Sequence, residues 1–380
     1  MISKDAEIVR RVLAHIDAGT TDEGAPWREP VENYLNPSRF AAELRLLRAM
    51  PSVFVPSAAI PNPGDHVQRS TFGVPLFAVR GRDRQARVFR NACRHRGYAL
   101  VDGAGCSHAL VCRYHGWTYR LDGSLAHVPH DDAFPGLDMS ARGLVEVASR
   151  EVDGLIVIGP LGAPQDAGDE PMRWLGDGTP WRDKLLRAQR LVYVDSTVRA
   201  INWKVLVEQF VEGYHIRSTH KDTFYPVQYD DLNVVERFGP NCRITFPYRN
   251  IERLRDRPEA SWTVDARVTY LYQLFPNVML ATFPDLLFMI VIDPVDVEHT
   301  TVTTYAMAKH DLAEPASRDA ANFIARGGVE DNEMSAGVQR GLHSGANEFV
   351  EFGRHESAIG HFHANLEERL AGFTGSTLRI

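Results

Sequence analysis

Cys93-Arg94-His95 and, after 16 further residues, Cys112-Arg113-Tyr114-His115 are two short segments that each carry one thiol and one imidazole. Two such pairs on facing loops suit a [2Fe–2S] centre in which two thiolates hold one iron and two imidazoles the other. Neutral imidazoles raise the potential and leave their second nitrogens free for electron exchange. Gly97, Gly103, Gly105 and Gly116 fit loops whose backbone N–H groups must approach the cluster sulfurs. A structural Cys2His2 zinc site is the alternative, although common zinc fingers pair Cys with Cys and His with His, whereas here the two are interleaved. Cys106-Ser107-His108 repeats the Cys-x-His shape. Only three residues separate His108 from Cys112, which leaves no room for two loops, so Cys106 and His108 read as structural.

The remaining cysteine, Cys242, lies far from this cluster. Three cysteines crowded into twenty residues make poor spacing for a disulfide framework and point to metal in a reducing compartment. The first residues, Met1-Ile2-Ser3-Lys4-Asp5, lack the apolar core of a signal peptide, and no run approaches the roughly 20 apolar residues of a membrane span. A cytoplasmic protein without membrane association is expected. The chain has 380 residues, 44% hydrophobic and 24% charged, so wholesale disorder is excluded. A net charge of −7 argues against nucleic acid as the main partner.

Outward from the Cys/His segments, Phe77-Ala78-Val79, Ala86-Arg87-Val88-Phe89, Leu110-Val111-Cys112 and Leu155-Ile156-Val157-Ile158 are short apolar runs broken by Gly, Pro, Asn and Asp. They predict a small all-β domain, preceded by about 40 residues that read as helical and then turn-rich. From Gly159 to Pro180 the composition shifts to that of a linker or excursion. Trp203, Leu206, Val207, Phe210, Val211 and Tyr214 recur at helical spacing, predicting an amphipathic helix from about Asn202 to Tyr214 with Glu208, Glu212 and His215 on its other face. An irregular stretch from Lys221 to Ser261 is expected next. Val268 to Phe275, Val278 to Phe283, Leu286 to Ile292 and Thr300 to Ala308 then read as an antiparallel meander, and a helical region that begins near Ser317 and continues with interruptions to about Ala371 completes an α+β domain.

His215 and His220 form a second constellation. Five positions apart on a continuous helix they would diverge by about 140°, so they can face one ion only if the helix ends between them, with Ser218-Thr219 a plausible break. Two histidines and a carboxylate make the facial triad of non-haem Fe(II) oxygenases, which leaves positions open for O2. Asp331 is the best carboxylate, because Met334, Ser335, Val338 and Leu342 continue its helical face. Glu330 and Glu333 are the reserves.

Both motifs, in this order and separation, resemble the α subunit of Rieske non-haem iron oxygenases, also called aromatic-ring-hydroxylating oxygenases. The resemblance covers nearly the whole chain. It rests on the two Cys/His segments, on Asn202-Trp203-Lys204, on Glu208-Gln209-Phe210-Val211-Glu212-Gly213-Tyr214-His215-Ile216-Arg217-Ser218-Thr219-His220, on Gln339-Arg340-Gly341-Leu342 following Asp331, and on His361-Phe362-His363. It implies an N-terminal helical segment (residues 1–40) packing on the catalytic domain, an all-β Rieske [2Fe–2S] domain (41–158), and a helix-grip, START-like catalytic domain with an antiparallel sheet (159–380). It also implies a homotrimer in which one subunit's cluster faces its neighbour's iron.

As cofactors it implies the Rieske cluster on Cys93, His95, Cys112 and His115, and mononuclear Fe(II) on His215, His220 and Asp331, with O2 as co-substrate. Most of the family has Asp three residues before the first iron histidine, bridging to a cluster histidine of the neighbour. Glu212 stands there in this chain, which resembles the subgroup that oxidises quaternary ammonium compounds such as carnitine and glycine betaine. Glu212 is one helical turn before His215 on the expected helix and can couple the two centres through hydrogen bonds. At Gln209, where many relatives have Asn or Asp near the iron, a substrate-binding role is expected. No G-x-G-x-x-G fingerprint follows an expected strand, so NAD(P)H and flavin belong to a separate reductase, with or without a ferredoxin.

The resulting activity is hydroxylation, dihydroxylation or demethylation of a small organic substrate, aromatic in the main reading and quaternary ammonium in the alternative. Phe246, Tyr248, Tyr272, Phe275, Met279, Phe283 and Phe288 are strand residues that could line its pocket or simply fill the core. Two other classes compete: an electron-transfer protein with the Rieske centre alone, and a zinc-stabilised ligand carrier.

Overall fold

The computed structural model describes residues 3–162, 181, 182, 185, 190–309 and 312–373. Most of the expected linker, residues 163–180, lies outside the described residues. The chain divides into two compact units, one of Met1–Leu46 with Leu175–Thr374 and one holding Leu47–Trp174.

The chain begins with helix α1 (Asp5–Ala18), strand β1 (Trp27–Pro30), the single turn α2 (Glu32–Leu35) and α3 (Pro37–Arg48). Ile8, Val9, Val12 and Leu13 are the buried face of α1, spaced by three and four as an amphipathic helix requires.

The second unit is β-rich. Its strands are β2 (Ser52–Pro56), β3 (Asp65–Thr71), β4 (Val74–Arg80), β5 (Ala86–Arg90), β6 (Ala104–Cys106), β7 (Leu110–Val111), β8 (Thr118–Tyr119), β9 (Leu125–His127), β10 (Glu146–Val147), β11 (Ser149–Val152) and β12 (Leu155–Ile158). They form antiparallel sheets ordered β10-β5-β4-β3-β6, β11-β12-β2 and β7-β8-β9. The strands are short because turn residues interrupt every apolar run. Their inward residues meet in one core in which Cys93 and Cys112 pack with Phe77, Leu110, Trp117 and Tyr119.

In the first unit β13 (Arg190–Arg199), β14 (Val234–Phe238), β15 (Asn241–Pro247), β16 (Val268–Leu274), β17 (Val278–Thr282), β18 (Leu286–Pro294) and β19 (Thr300–Ala308) build an antiparallel sheet ordered β13-β19-β18-β17-β16-β15-β14. Between them lie α4 (Trp203–Glu208) and α5 (Ile216–Thr219), and after them come α6 (Glu314–Leu342), β20 (Phe349–Phe352) and α7 (Ser357–Gly372). Strands β16, β17 and β18 are buried along their whole length, which explains their near-continuous apolar sequence. Long helix α6 packs against β13 and β18, giving the mixed helix and antiparallel sheet expected. Among the described residues no helix is long and apolar enough to cross a membrane.

Two expectations fail. The irregular stretch from Lys221 to Ser261 contains β14 and β15. The amphipathic helix expected from Asn202 to Tyr214 stops at Glu208, with Gln209 as its cap. The chain then bends through Gly213, where a Cβ would lie 2.6 Å from Asn233 Oδ1. Tyr214, counted on its apolar face, is 67% exposed.

Candidate metal centres and the catalytic cavity

The two Cys/His loops have the same backbone. In each, the cysteine N–H donates to the carbonyl five residues on (Tyr98, Trp117), and its own carbonyl accepts from a glycine four residues on (Gly97, Gly116). Those glycines have φ of +78° and +75°, the left-handed turn that favours glycine. The turns drive both thiols into the core, Cys93 and Cys112 being 3% and 2% exposed, while keeping both imidazoles outward. The His95 and His115 rings lie 4.7 Å apart, and Trp117 stacks on His95 at 5.0 Å.

Tyr119 Oη lies 3.3 Å from Cys93 Sγ and accepts from the Arg94 N–H at 2.9 Å. Burial pushes the Cys93 thiol above its ordinary value, with Cys112 adding to the shift, so a cationic group between the sulfurs is what would make both thiolates favourable. Two inward thiols and two outward imidazoles fit a [2Fe–2S] group. Cys106 sits exposed on β6, and its Sγ approaches the Pro63 carbonyl instead.

The second constellation is assembled from α5 and α6. His215 and His220 cap the two ends of the four-residue helix α5, which turns both rings to one side at a centroid separation of 5.1 Å. Asp331 projects from α6, its Oδ1 lying 2.9 Å from His220 Nε2 and 3.5 Å from His215 Nε2. One ligand atom from each of these three residues lies within 4.8 Å of the others. The remaining imidazole nitrogens are also engaged: Glu212 Oε1 holds His215 Nδ1, and Glu330 Oε2, which accepts from Thr223 Oγ1 at 2.7 Å, lies 2.7 Å from His220 Nδ1. Glu330 is therefore an outer partner and Glu333 is exposed. Glu212 reaches His215 through the bend after α4, not along a helical turn.

The helical face that Asp331 shares with Met334, Ser335, Val338 and Leu342 is only half buried. Met334 and Val338 are exposed, whereas Ser335, Gln339 and Leu342 turn inward. Gly327 lets α6 approach Phe224, whose ring a Cβ would meet at 2.4 Å, and Phe224 in turn packs on His220 at 4.8 Å.

Burial alone would lower the His215 pKa, but Asp331 and Glu212 outweigh it and lift it to about 10. His220 is raised against its burial by Asp331 and Glu330. Asp331 is lowered against its burial by the two histidines. Two imidazoles locked around one carboxylate, each with its far nitrogen on an acid, fit a divalent iron. In metal-free protein the raised His215 contributes stability that is complete below its ordinary pKa of 6.5 and is lost as pH rises towards about 10. Iron must displace that proton, so Fe(II) affinity measured by chelator competition should rise by about tenfold per pH unit between pH 7 and 9. A flat profile would show that no imidazole proton is released.

These groups stand at the wall of a cavity of about 940 Å³ between the sheet and α6. Phe246, Phe283 and Phe288 line it; Tyr272, Phe275 and Met279 belong to the core, and Tyr248 lies in a neighbouring groove. Gln209 lines it too, accepting from Ser335 Oγ with its Oε1, while its buried Nε2 has no partner among the described residues. Tyr193, Asp195 and Arg199, all on β13, escaped the sequence reading. The β-branched alternation from Leu191 to Val198 was the available signal.

The ring-hydroxylating α-subunit catalytic-domain family matches residues 183–372, half of the chain, and the Rieske [2Fe–2S] domain family matches residues 51–144. The chain belongs to the ring-hydroxylating α-subunit family. This α subunit is 30% identical over 210 residues to the carnitine monooxygenase oxygenase subunit of Escherichia coli K12, a match covering 54% of this chain and 55% of that one. The chain thus spans about half the length of the carnitine monooxygenase oxygenase subunits it matches. It is 27% identical over 330 residues to the large oxygenase component of the naphthalene 1,2-dioxygenase system of Pseudomonas fluorescens, covering 76% and 72%. Its fold is that of the quaternary ammonium Rieske monooxygenase CntA in complex with L-carnitine, with a TM-score of 0.76 at 22% identity over 92% of this chain and 96% of that one. Naphthalene 1,2-dioxygenase from Rhodococcus sp. gives a TM-score of 0.76 at 18% identity, over 99% and 100%.

Proposed function

We propose that this chain is the terminal oxygenase component of a Rieske system, oxidising a small organic molecule with O2 and electrons from a separate NAD(P)H-dependent reductase. The observation that carries the reading is the convergence of His215, His220 and Asp331 at the wall of a largely apolar cavity, in a chain that also presents two inward thiols and two outward imidazoles. We assign Cys93, His95, Cys112 and His115 to the cluster, and His215, His220 and Asp331 to the mononuclear iron. When bound, these groups supply one-electron delivery and open positions for O2.

The chain's own side chains do the rest. Glu212 fixes the His215 ring by holding Nδ1, so that Nε2 faces Asp331, and Glu330 does the same for His220. Phe224, Phe283 and Phe288 give an apolar substrate its surface. Four free cysteines suit the cytoplasm. The family's trimer is the assembly in which Glu212 could also reach a neighbour's cluster histidine.

A second reading concerns the substrate. Glu212 and the relationship to carnitine and glycine betaine monooxygenase subunits favour a quaternary ammonium compound, and aromatic rings in the cavity could hold such a headgroup by cation–π attraction. The test is iron and acid-labile sulfide content on anaerobically purified protein, with EPR after reduction and after nitric oxide. About three irons and two sulfides per chain, with separate Rieske and nitrosyl-iron signals, are expected; zinc without sulfide sinks the reading. Glu212→Ala should keep both metals while single-turnover oxidation of the reduced cluster in the presence of O2 and substrate slows by about 10- to 100-fold. Wild-type rates would remove Glu212 from the electron path.

A further inference from the structure

Arg199 is the last residue of β13, on the strand face that also carries Tyr193, Asp195 and Thr197 into the cavity. Among the described residues lining the cavity it is the one fixed cation. It is half-buried, and the structure records no hydrogen bond or ion pair for it among the described residues. The other charged groups on the wall are acidic. Glu212 and Asp331 are each engaged by a histidine, and Asp195 interacts with Arg199 at longer range. Burial pushes the Arg199 guanidinium below its ordinary value, and Asp195 and Asp331 push it back.

A planar fork of N–H donors left unpaired in a mostly apolar cavity is costly in the free protein and strongly favourable once a carboxylate fills it. Arg199 and Asp331 line the same cavity as His215 and His220. A ligand held there by its acid group would share the cavity with Phe283, Phe288, His215 and His220.

We propose that Arg199 anchors the substrate through a carboxylate, so that this oxygenase acts on an organic acid. The inference rests on the oxygenase reading for the word substrate, but not for the binding itself. Two kinds of molecule carry this chemistry: an aromatic carboxylate, and a zwitterion that joins a carboxylate to a quaternary ammonium group.

Calorimetric titration of the full-length, iron-loaded protein under anaerobic conditions separates them with matched probes: benzoate against benzamide, and L-carnitine and glycine betaine against choline. Binding by at least one carboxylate, weaker by about 10- to 100-fold for its uncharged or carboxylate-free counterpart, is expected. Arg199→Gln should abolish that difference by weakening the carboxylate alone, and Arg199→Lys should restore part of it. Benzoate preferred over L-carnitine identifies the aromatic class, and the reverse identifies the zwitterion. Equal affinities within each pair, no carboxylate binding at all, or an Arg199→Gln protein that keeps the wild-type preference overturns the proposal. Iron, sulfide and EPR measured on the same samples test the oxygenase reading separately, because binding does not depend on turnover.

Discussion

Replacing Asp331 by alanine should strip the chain of its mononuclear iron while leaving the cluster intact: about two irons per chain instead of about three, an unchanged Rieske EPR signal, no nitrosyl-iron signal and no product. Among the described residues Asp331 is the one group whose oxygen faces both imidazoles, 2.9 and 3.5 Å from their Nε2 atoms. Removing it leaves two neutral ligands against a divalent ion and takes away the charge that holds both rings. Glu330 is unsuited to replace it, since its carboxylate is committed to His220 Nδ1 and Thr223. Full iron occupancy in the Asp331→Ala protein would move the third ligand elsewhere on α6.

The largest loss of stability is expected away from the metals, at Glu43. Its carboxylate is fully buried and accepts from Lys204 Nζ at 2.8 and 2.9 Å, Trp203 Nε1 at 2.9 Å and Arg39 Nε at 2.9 Å. Lys204 is 1% exposed at its side chain, so Glu43→Ala strands a charge with no water to receive it. Breaking a buried pair from one side costs about 3–5 kcal/mol. The double variant Glu43→Leu, Lys204→Met, which removes both charges, should recover most of that. Urea unfolding followed by tryptophan fluorescence checks both, and a Glu43→Ala midpoint equal to wild type would show that Lys204 finds another partner. The interaction ties α3 to α4, six residues that could not hold helix alone and that lead directly into Gln209, Glu212 and His215.

What the sequence disclosed follows the range of each interaction. The Cys/His loops were legible because all four candidate ligands fall within one short segment and each turn is closed by its own glycine. The β16 to β19 meander was legible because strands buried on both faces are written as apolar runs. The end of α4 was not, since Phe210, Val211 and Tyr214 keep helical spacing although the helix stops at Glu208. Strands β14 and β15 hid in polar, turn-rich sequence because their partners supply the order. Asp331 was chosen for a face that Met334 and Val338 leave exposed; the inward side is marked by Ser335 and Gln339, polar residues that no hydrophobic pattern reveals. Arg199 was missed because β13 itself was.

The placement of the third ligand also sets an order in time. His220 and its outer partner Glu330 are 110 residues apart in sequence, and Asp331 follows. During synthesis the histidine pair leaves the ribosome long before the carboxylate does, and at 5–20 residues per second the interval is roughly 5–20 s. Throughout it the nascent chain offers two imidazoles, a donor set on which zinc and copper outcompete ferrous iron. On the proposed ligand set, iron would gain its third, charged ligand only when α6 docks. Metal selection would then be a late event, governed by the closing of the fold over the cavity.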